Sequence, residues 1–174
     1  MKPNLLIPVV LYFMTVLVPA WAEESPPPAE ALGRPSLQSP KAAKMAILSV
    51  TRAGKRIIAA GERGIVLYSD DEGSKWTQVQ TNTSASLTAM SFVNEKQGWA
   101  VGHMGIILHT TDGGQSWTKQ LDGIAAAKLA LDEAQKSGNE RAIKDAELLV
   151  ANGADKPFFH QVFKGKIDCR AFYA

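Results

Sequence analysis

Two copies of one segment, whose tryptophans Trp76 and Trp117 lie 41 residues apart, constrain the fold of this chain most strongly. The copies read GIVLYSDDEGSKW at Gly64–Trp76 and GIILHTTDGGQSW at Gly105–Trp117. Their alignment needs no gap over Lys55–Thr77 and Lys96–Thr118, and ten positions are identical: Lys55/Lys96, Ala59/Ala100, Gly61/Gly102, Gly64/Gly105, Ile65/Ile106, Leu67/Leu108, Asp71/Asp112, Gly73/Gly114, Trp76/Trp117 and Thr77/Thr118. A repeat of this period indicates one supersecondary unit, used more than once and stacked so that neighbouring units bury a shared core.

Each copy predicts four short strands, because short apolar runs alternate with clusters of Gly and Asp. The runs are Met45–Arg52, Arg56–Ala60, Ile65–Tyr68 and Trp76–Gln80 in the first copy, and Ser86–Val93, Gly98–Val101, Ile106–His109 and a run opening at Trp117 in the second. Four strands in about 40 residues are typical of a β-propeller blade. We also expect turns at the repeated glycines Gly61, Gly64, Gly102 and Gly105.

The loop before the last strand has the pattern Ser/Thr-x-Asp-x-Gly-x-x-Trp in both copies. An Asp in a tight turn accepts hydrogen bonds from the backbone N–H groups that follow it. The Gly two residues later can adopt a positive φ, and the Trp supplies an apolar face that fixes the turn to its sheet. The pattern predicts a structural corner formed by Ser69, Asp71, Gly73 and Trp76, and by Thr110, Asp112, Gly114 and Trp117.

This corner resembles the Asp-box, or BNR repeat, of sialidase-like β-propellers. The wider frame of the second copy, GWAVGHMGIILHTTDGGQSW, resembles the photosystem II stability/assembly factor-like family. The resemblance covers Ile47–Leu121. It implies a seven-bladed propeller that is exported across a membrane and acts as an assembly factor in phototrophs. In Asp-box proteins these loops lie on the outer edge of the blade, which again implies turn caps and not catalytic carboxylates or a metal site.

The first 22 residues, Met1–Ala22, have the layout of a secretory signal peptide. Lys2 is their only charge, Leu5–Pro19 is apolar, and Ala20-Trp21-Ala22 fits a small-x-small cleavage site. We therefore expect an exported protein, periplasmic or extracellular, or lumenal if the source is a phototroph. The alternative is an uncleaved membrane anchor.

Residues 23–44 predict a Pro-rich linker that acts as a plain tether, since they contain five prolines in ESPPPAEALGRPSLQSP and no helix or strand period.

The whole chain has 19 basic and 17 acidic residues. Because the charges nearly balance, electrostatics do not favour a nucleic-acid partner or binding to an anionic membrane surface. Arg52, Arg56 and Arg63 cluster in the first copy, either as a small basic patch or as solvated strand and turn positions.

Residues 122–153 predict a helical hairpin inserted between blades. Ala, Leu, Glu and Lys dominate it, apolar residues recur at three- and four-residue steps, and Ser137-Gly138-Asn139 interrupts the pattern. Gly153 suits a helix stop. The hairpin either packs on the propeller or forms a lid that docks a partner.

Residues 154–174 predict an incomplete third blade. Asp155–Phe163 resembles an opening strand, but GKIDCRAFYA at Gly165–Ala174 lacks the repeated turns and the Trp. The fold class we expect is therefore mainly β: two four-stranded Asp-box blades at residues 45–121, the start of a third, and the helical hairpin. Because a propeller needs at least about four blades, we expect a truncated member, with a frameshift near His160. The alternative is a ring completed by other chains.

Two functions are compatible with the sequence. The first is a non-enzymatic exported scaffold that binds a protein partner, as the family resemblance implies; contact with a membrane would come only through an uncleaved signal or a membrane-protein partner. The second is a fragment of a sialidase-type glycoside hydrolase, which needs paired carboxylates and an arginine cluster on the central face. We predict no catalytic residue, no cofactor and no metal; His103 and His109 lack further zinc ligands nearby, and Cys169 is the single cysteine.

Overall fold

The computed structural model of the chain describes residues 28–152, and these form two sheets and a helical hairpin. Both sheets are antiparallel, and their four strands pair in sequence order. The first contains β1 (Ile47–Ala53), β2 (Arg56–Gly61), β3 (Val66–Ser69) and β4 (Thr77–Val79); the second contains β5 (Leu87–Phe92), β6 (Gly98–Gly102), β7 (Ile107–Thr110) and β8 (Thr118–Leu121). This blade arrangement confirms the prediction of a mainly β, partial propeller.

The main core lies between the two sheets. Successive side chains of a strand point to opposite faces, so Ile58 and Ala60 of β2 face the second sheet while Ala59, between them, packs on the other face. From the second sheet, Leu87 and Leu108 enter the same core and are fully buried. Each fully buried Leu or Ile side chain stabilises the fold by about 1.5–3 kcal/mol. Apolar burial between the sheets therefore holds the two copies together.

A β-bulge at the start of β5 changes which of its side chains face the first sheet. The register shifts between Leu87 and Ala89. As a result Leu87 lies in the core between the sheets, whereas Ala89 packs on the opposite face beside Trp99. Met90 and Phe92 return to the core between the sheets. Strict alternation would have placed Leu87 and Ala89 on one face, and the extra residue of the bulge explains why they part.

The repeated glycines lie at the turns between the second and third strands. Gly64 and Gly105 close the 3₁₀ turns Glu62–Gly64 and His103–Gly105. Gly61 and Gly102 begin these turns in extended conformation, and a Cβ on either would lie 2.0 Å from a backbone carbonyl oxygen, that of Ala46 or Ser86. The close approach of the two backbones therefore requires glycine. In both turns the residue before the last glycine, Arg63 or Met104, adopts a left-handed conformation (φ 53° and 61°).

The described part of the Pro-rich segment packs on the first sheet. It contains a short helix, α1 (Pro28–Ala31), and a 3₁₀ turn at Ala42–Lys44. Leu32 is 2% exposed and joins the core between the sheets. Ser36 exchanges hydrogen bonds with Thr81, donating its N–H to the Thr81 carbonyl and accepting the Thr81 N–H at its hydroxyl oxygen, each at 2.9 Å. These contacts correct the interpretation of this part as a plain tether.

Two helices, α2 (Gly123–Ser137) and α3 (Glu140–Asn152), form a hairpin as the sequence predicts. Asp122 caps α2 by accepting the N–H of Ala125 at 2.9 Å, and Gly138 ends it with φ 67°. Asn139 then caps α3, its side-chain oxygen accepting the N–H groups of Arg141 and Ala142. Over residues 28–152, neither helix has the length and apolar character needed to cross a membrane.

Several predictions lie outside residues 28–152. These are the signal peptide at Met1–Ala22, the linker residues before 28, the helix stop at Gly153, the third-blade strand Asp155–Phe163 and the tail with Cys169. They stay predictions, as do the domain boundaries drawn from the sequence.

Candidate functional site

The acidic corner of the second copy is a closed network of hydrogen bonds. Thr110 donates its hydroxyl to Oδ1 of Asp112 at 2.8 Å and accepts the N–H of Gly114 at 3.0 Å. Oδ1 of Asp112 also accepts the N–H groups of Gln115 and Ser116, each at 2.9 Å, and Oδ2 accepts the Ser116 hydroxyl. Gly114 has φ +83°. These bonds take up the capacity of the carboxylate and fix the turn.

The first copy repeats this geometry with different side chains. Ser69 donates its hydroxyl to Oδ1 of Asp71 and accepts the N–H of Gly73, both at 2.8 Å. Asp71 Oδ1 accepts the N–H of Lys75 at 2.8 Å. Gly73 has φ +89°. The structure therefore brings Ser69, Asp71 and Gly73 together as a corner, as it does their counterparts in the second copy.

The electrostatics of the corners favour carboxylates that stay ionised. Burial tends to raise the pKa of Asp112, but the hydrogen bonds from Ser116, Thr110 and Gln115 outweigh it, and the pKa is lowered. The N–H of Lys75 and the hydroxyl of Ser69 lower the pKa of Asp71. A general acid for glycoside hydrolysis needs a raised pKa, so this environment opposes that role for either Asp.

The two corner tryptophans occupy different environments. Trp117 is 4% exposed and packs edge-to-face on Phe92, with ring centroids 6.0 Å apart. Its indole N–H donates to the carbonyl of Gly114 at 3.2 Å. Trp76 is half-buried, on the face of the first sheet that points away from the second sheet. The second-copy corner is thus built into the interface between the sheets, while the first lies at its outer side.

A cleft of about 390 Å³ opens where the second-copy corner meets the β1–β2 and β5–β6 turns. We call it the inter-blade cleft. Charged side chains of both signs dominate its lining, which consists of Ala53, Lys55, Arg56, Asp70, Glu95, Lys96, Asp112, Gly113 and Gln115.

Arg56, which lines the inter-blade cleft, joins the two copies. Its Nε and Nη2 donate to the two carboxylate oxygens of Asp70, at 2.6 and 2.8 Å, and its Nη1 donates to the carbonyl of Gly113 at 3.1 Å. The guanidinium also stacks over the ring of Tyr68, 4.2 Å from its centroid. The bidentate contact with Arg56 lowers the pKa of Asp70. All three guanidinium nitrogens and one face of the group are therefore engaged within the chain.

The arginines do not form the basic patch that the sequence left open. Arg56 is paired with Asp70, and Arg52 forms a bidentate ion pair with Glu72 at 2.7 and 3.3 Å. Arg63 lies in the left-handed position of the first 3₁₀ turn, at the opposite end of β2 from Arg56. The carboxylates neutralise two of the three charges. They come from the corner loop, 14 and 20 residues further along the chain, so the pairing follows only once the sheet has formed.

The histidines do not form a metal site within residues 28–152, where no three of His, Cys, Asp and Glu are grouped to hold an ion. His103 lies in the second 3₁₀ turn. His109 stacks on Trp99 with ring centroids 4.7 Å apart, and its Nε2 is buried without a hydrogen-bond partner. His109 therefore has a packing role in its strand, and no ligand is needed to explain its position.

Part of this chain is similar to photosystem II assembly factors. The family described as photosynthesis system II assembly factor YCF48 matches residues 74–150. No curated protein matches. Among solved structures, one described as YCF48 bound to D1 peptide is 32% identical and covers 44% of this chain and 26% of its own, with a TM-score of 0.39. YCF48 from Cyanidioschyzon merolae is 26% identical and covers 43% and 23%, with a TM-score of 0.38. The chain thus spans about a quarter of each.

Proposed function

We propose that this chain, a relative of the photosystem II assembly factors, is a non-enzymatic, exported scaffold that binds a protein partner. The observation that carries the proposal is the family match over residues 74–150, which takes in the second sheet, α2 and most of α3. An assembly factor acts on other proteins, so the similarity to this family favours a protein partner over a small-molecule substrate.

The chemistry of the corners supports a role without catalysis. Asp71 and Asp112 have lowered pKa values and accept hydrogen bonds from their own turns. Asp70 is held by Arg56. Among the cleft carboxylates this leaves Glu95 alone, whereas a glycosidase of the alternative type needs two carboxylates in complementary roles.

Binding of a peptide to the full chain tests the proposal. One solved structure is described as YCF48 bound to D1 peptide, and we choose this peptide as the probe. Fluorescently labelled D1 peptide, titrated with the protein and followed by anisotropy, should give a saturable isotherm with a Kd in the micromolar range or tighter. A scrambled peptide of the same composition is the control and should bind much more weakly. Equal binding of both peptides, or none at 1 mM protein, would remove the support for a scaffold of this kind.

Export is a separate part of the proposal, supported by the signal-peptide layout of Met1–Ala22. Expression of the full chain in a bacterium, followed by cell fractionation, should place it outside the cytoplasm with a new N-terminus at Glu23. Full-length protein retained in the cytoplasm would contradict export.

A further inference from the structure

The first sheet has an outer face, which points away from the second sheet and repeats the face that the second sheet buries against the first. Because residues paired across strands lie on the same face of a sheet, rows of paired residues can be compared between the copies. In the second copy, one row that enters the core between the sheets consists of Met90, Ala100 and Leu108. In the first copy, the row at the same position lies on the outer face and consists of Val50, Ala59 and Leu67. The outer face is therefore built like a surface that packs on another sheet.

Residues 42–45, which we call the sheet cap, lie on this outer face. Ala42 is 3% exposed and belongs to one apolar cluster with the two buried members of the row. Met45 packs against the same cluster, whereas Lys44 is exposed. The sheet cap thus turns apolar side chains towards the sheet and a charged one towards water, as the terminal caps of repeat proteins do.

Hydrogen bonds fix the chain on both sides of the sheet cap. Before it, Ser39 donates its N–H to Oε1 of Gln78 at 3.1 Å, and Nε2 of Gln78 donates to the carbonyl of Leu37 at 2.6 Å. After it, Ala46 donates its N–H to Oε1 of Glu62 at 3.3 Å and accepts the N–H of Glu62 at its carbonyl at 3.1 Å. Both ends of the sheet cap are therefore tied to the first sheet, one to β4 and the other to the turn after β2.

The sheet cap covers only part of the outer face. Val50, the remaining member of the row, is 63% exposed, and Leu48 on the same strand is 49% exposed. Met90, the counterpart of Val50 in the second copy, is packed against the core between the sheets. Removing the sheet cap would join the buried part of the row to this exposed margin and so create one continuous apolar surface.

We propose that the sheet cap prevents self-association of the chain by occupying the place on the first sheet where a sheet of a second copy would pack. Continuous apolar patches on a protein surface promote association. The excluded occupant is a sheet of the same repeat, because the row on the outer face is the one that packs on a sheet within the chain. The proposal concerns contacts between copies and does not depend on the protein partner proposed above.

Ala42→Glu tests the proposal, because a carboxylate that replaces a buried methyl group is costly to keep against an apolar cluster and should displace the sheet cap. Sedimentation velocity of the full chain should then show a weight-average mass that rises with protein concentration to at least twice the monomer mass. Wild type should stay monomeric over the same range. Ala43→Glu introduces the same charge at the exposed neighbouring position and is the matched control, so it should behave as wild type.

A second substitution identifies the surface that associates. In the Ala42→Glu background, Val50→Lys should restore the monomer, because it places a charge on the uncovered face. Val93→Lys is its control, since Val93 is 43% exposed and follows β5 in the second sheet, and it should leave the association unchanged. Circular dichroism verifies that each variant keeps its sheet content. If Ala42→Glu loses it, Met45→Asp at the half-buried end of the sheet cap takes its place.

Equal sedimentation of Ala42→Glu and Ala43→Glu would overturn the inference, whether both associate or both stay monomeric. Association of wild type to the same degree as Ala42→Glu would also overturn it, because the sheet cap would then exclude nothing. So would association of Ala42→Glu that Val50→Lys does not reverse, or that Val93→Lys reverses equally well, since the contact would then lie elsewhere.

Discussion

Among single residues, Asp112 shows how a carboxylate is used to form a turn. Four donors converge on its two oxygens, from Thr110, Gln115 and both polar groups of Ser116. Asp71 makes the same type of contact in the first copy. The spacing of Ser/Thr, Asp and Gly in the sequence predicted this use, since a short acidic side chain satisfies backbone N–H groups just ahead of it.

Replacing Asp112 by Ala should destabilise the chain, because several donors of the corner lose their acceptor. We expect a loss of about 1–3 kcal/mol in the free energy of unfolding, measured by urea denaturation. Asp132→Ala, at an exposed position of α2, is the control and should stay within about 0.5 kcal/mol of wild type. A stability change no larger than that of the control would show that the corner does not depend on this carboxylate.

Because the folded pKa of Asp112 is lowered, the stability that this carboxylate contributes depends on pH. Its folded pKa is lowered, so the carboxylate contributes stability above the unfolded value of about 4 and loses it as the pH falls through the folded pKa. Asp112→Asn has no such titration. The difference in unfolding free energy between wild type and Asp112→Asn should be largest at pH 7 and should shrink as the pH falls below about 4. A difference that grows on acidification would contradict the assignment.

At the scale of strands and loops, the two copies of the corner lie in different surroundings. Trp117 is buried between the sheets against Phe92, while Trp76 lies half-buried on the outer side of the first sheet. We expect Trp117→Ala to cost about 3–5 kcal/mol of unfolding free energy. Trp76→Ala is its matched control in the other copy and should cost clearly less. Equal losses in urea denaturation would mean that the interface between the sheets does not depend on Trp117.

The strand order and the hydrogen bonding of the corners could be predicted from the repeat. The face of the sheet on which each side chain lies could not. The bulge in β5 separates Leu87 from Ala89 because one extra residue interrupts the alternation. Nothing in SLTAMSF marks that insertion, since each residue is compatible with a strand. The left-handed Arg63 and Met104 were likewise not predictable, because neither residue type favours a positive φ.

Across the molecule as a whole, a segment predicted as a spacer joins both sheets. Its composition is Pro-rich and polar, and the two residues that anchor it, Leu32 and Ser36, have no periodic neighbours to reveal them. Leu32 lies in the core between the sheets, and Lys119 of β8 donates its ammonium to the Leu32 carbonyl at 3.2 Å. Local sequence patterns do not report such long-range contacts, whereas the helical hairpin was predictable from its own periodicity.

Leu32→Ala tests whether this segment belongs to the fold. Removing a buried leucine side chain should cost about 2–5 kcal/mol of unfolding free energy. Leu37→Ala is the control in the same segment; Leu37 is 37% exposed and should cost less. A Leu32→Ala protein as stable as wild type would show that the segment is a tether after all.

The acidic corners are structural, and we propose that the chain is a scaffold that binds a protein partner. Hydrogen exchange of the full chain, measured by mass spectrometry with and without the D1 peptide, locates the bound peptide on the fold. We predict that the peptide slows exchange over one continuous surface within residues 28–152 and leaves the rest of that range unchanged. Exchange that is the same with and without the peptide throughout residues 28–152 would contradict the scaffold proposal.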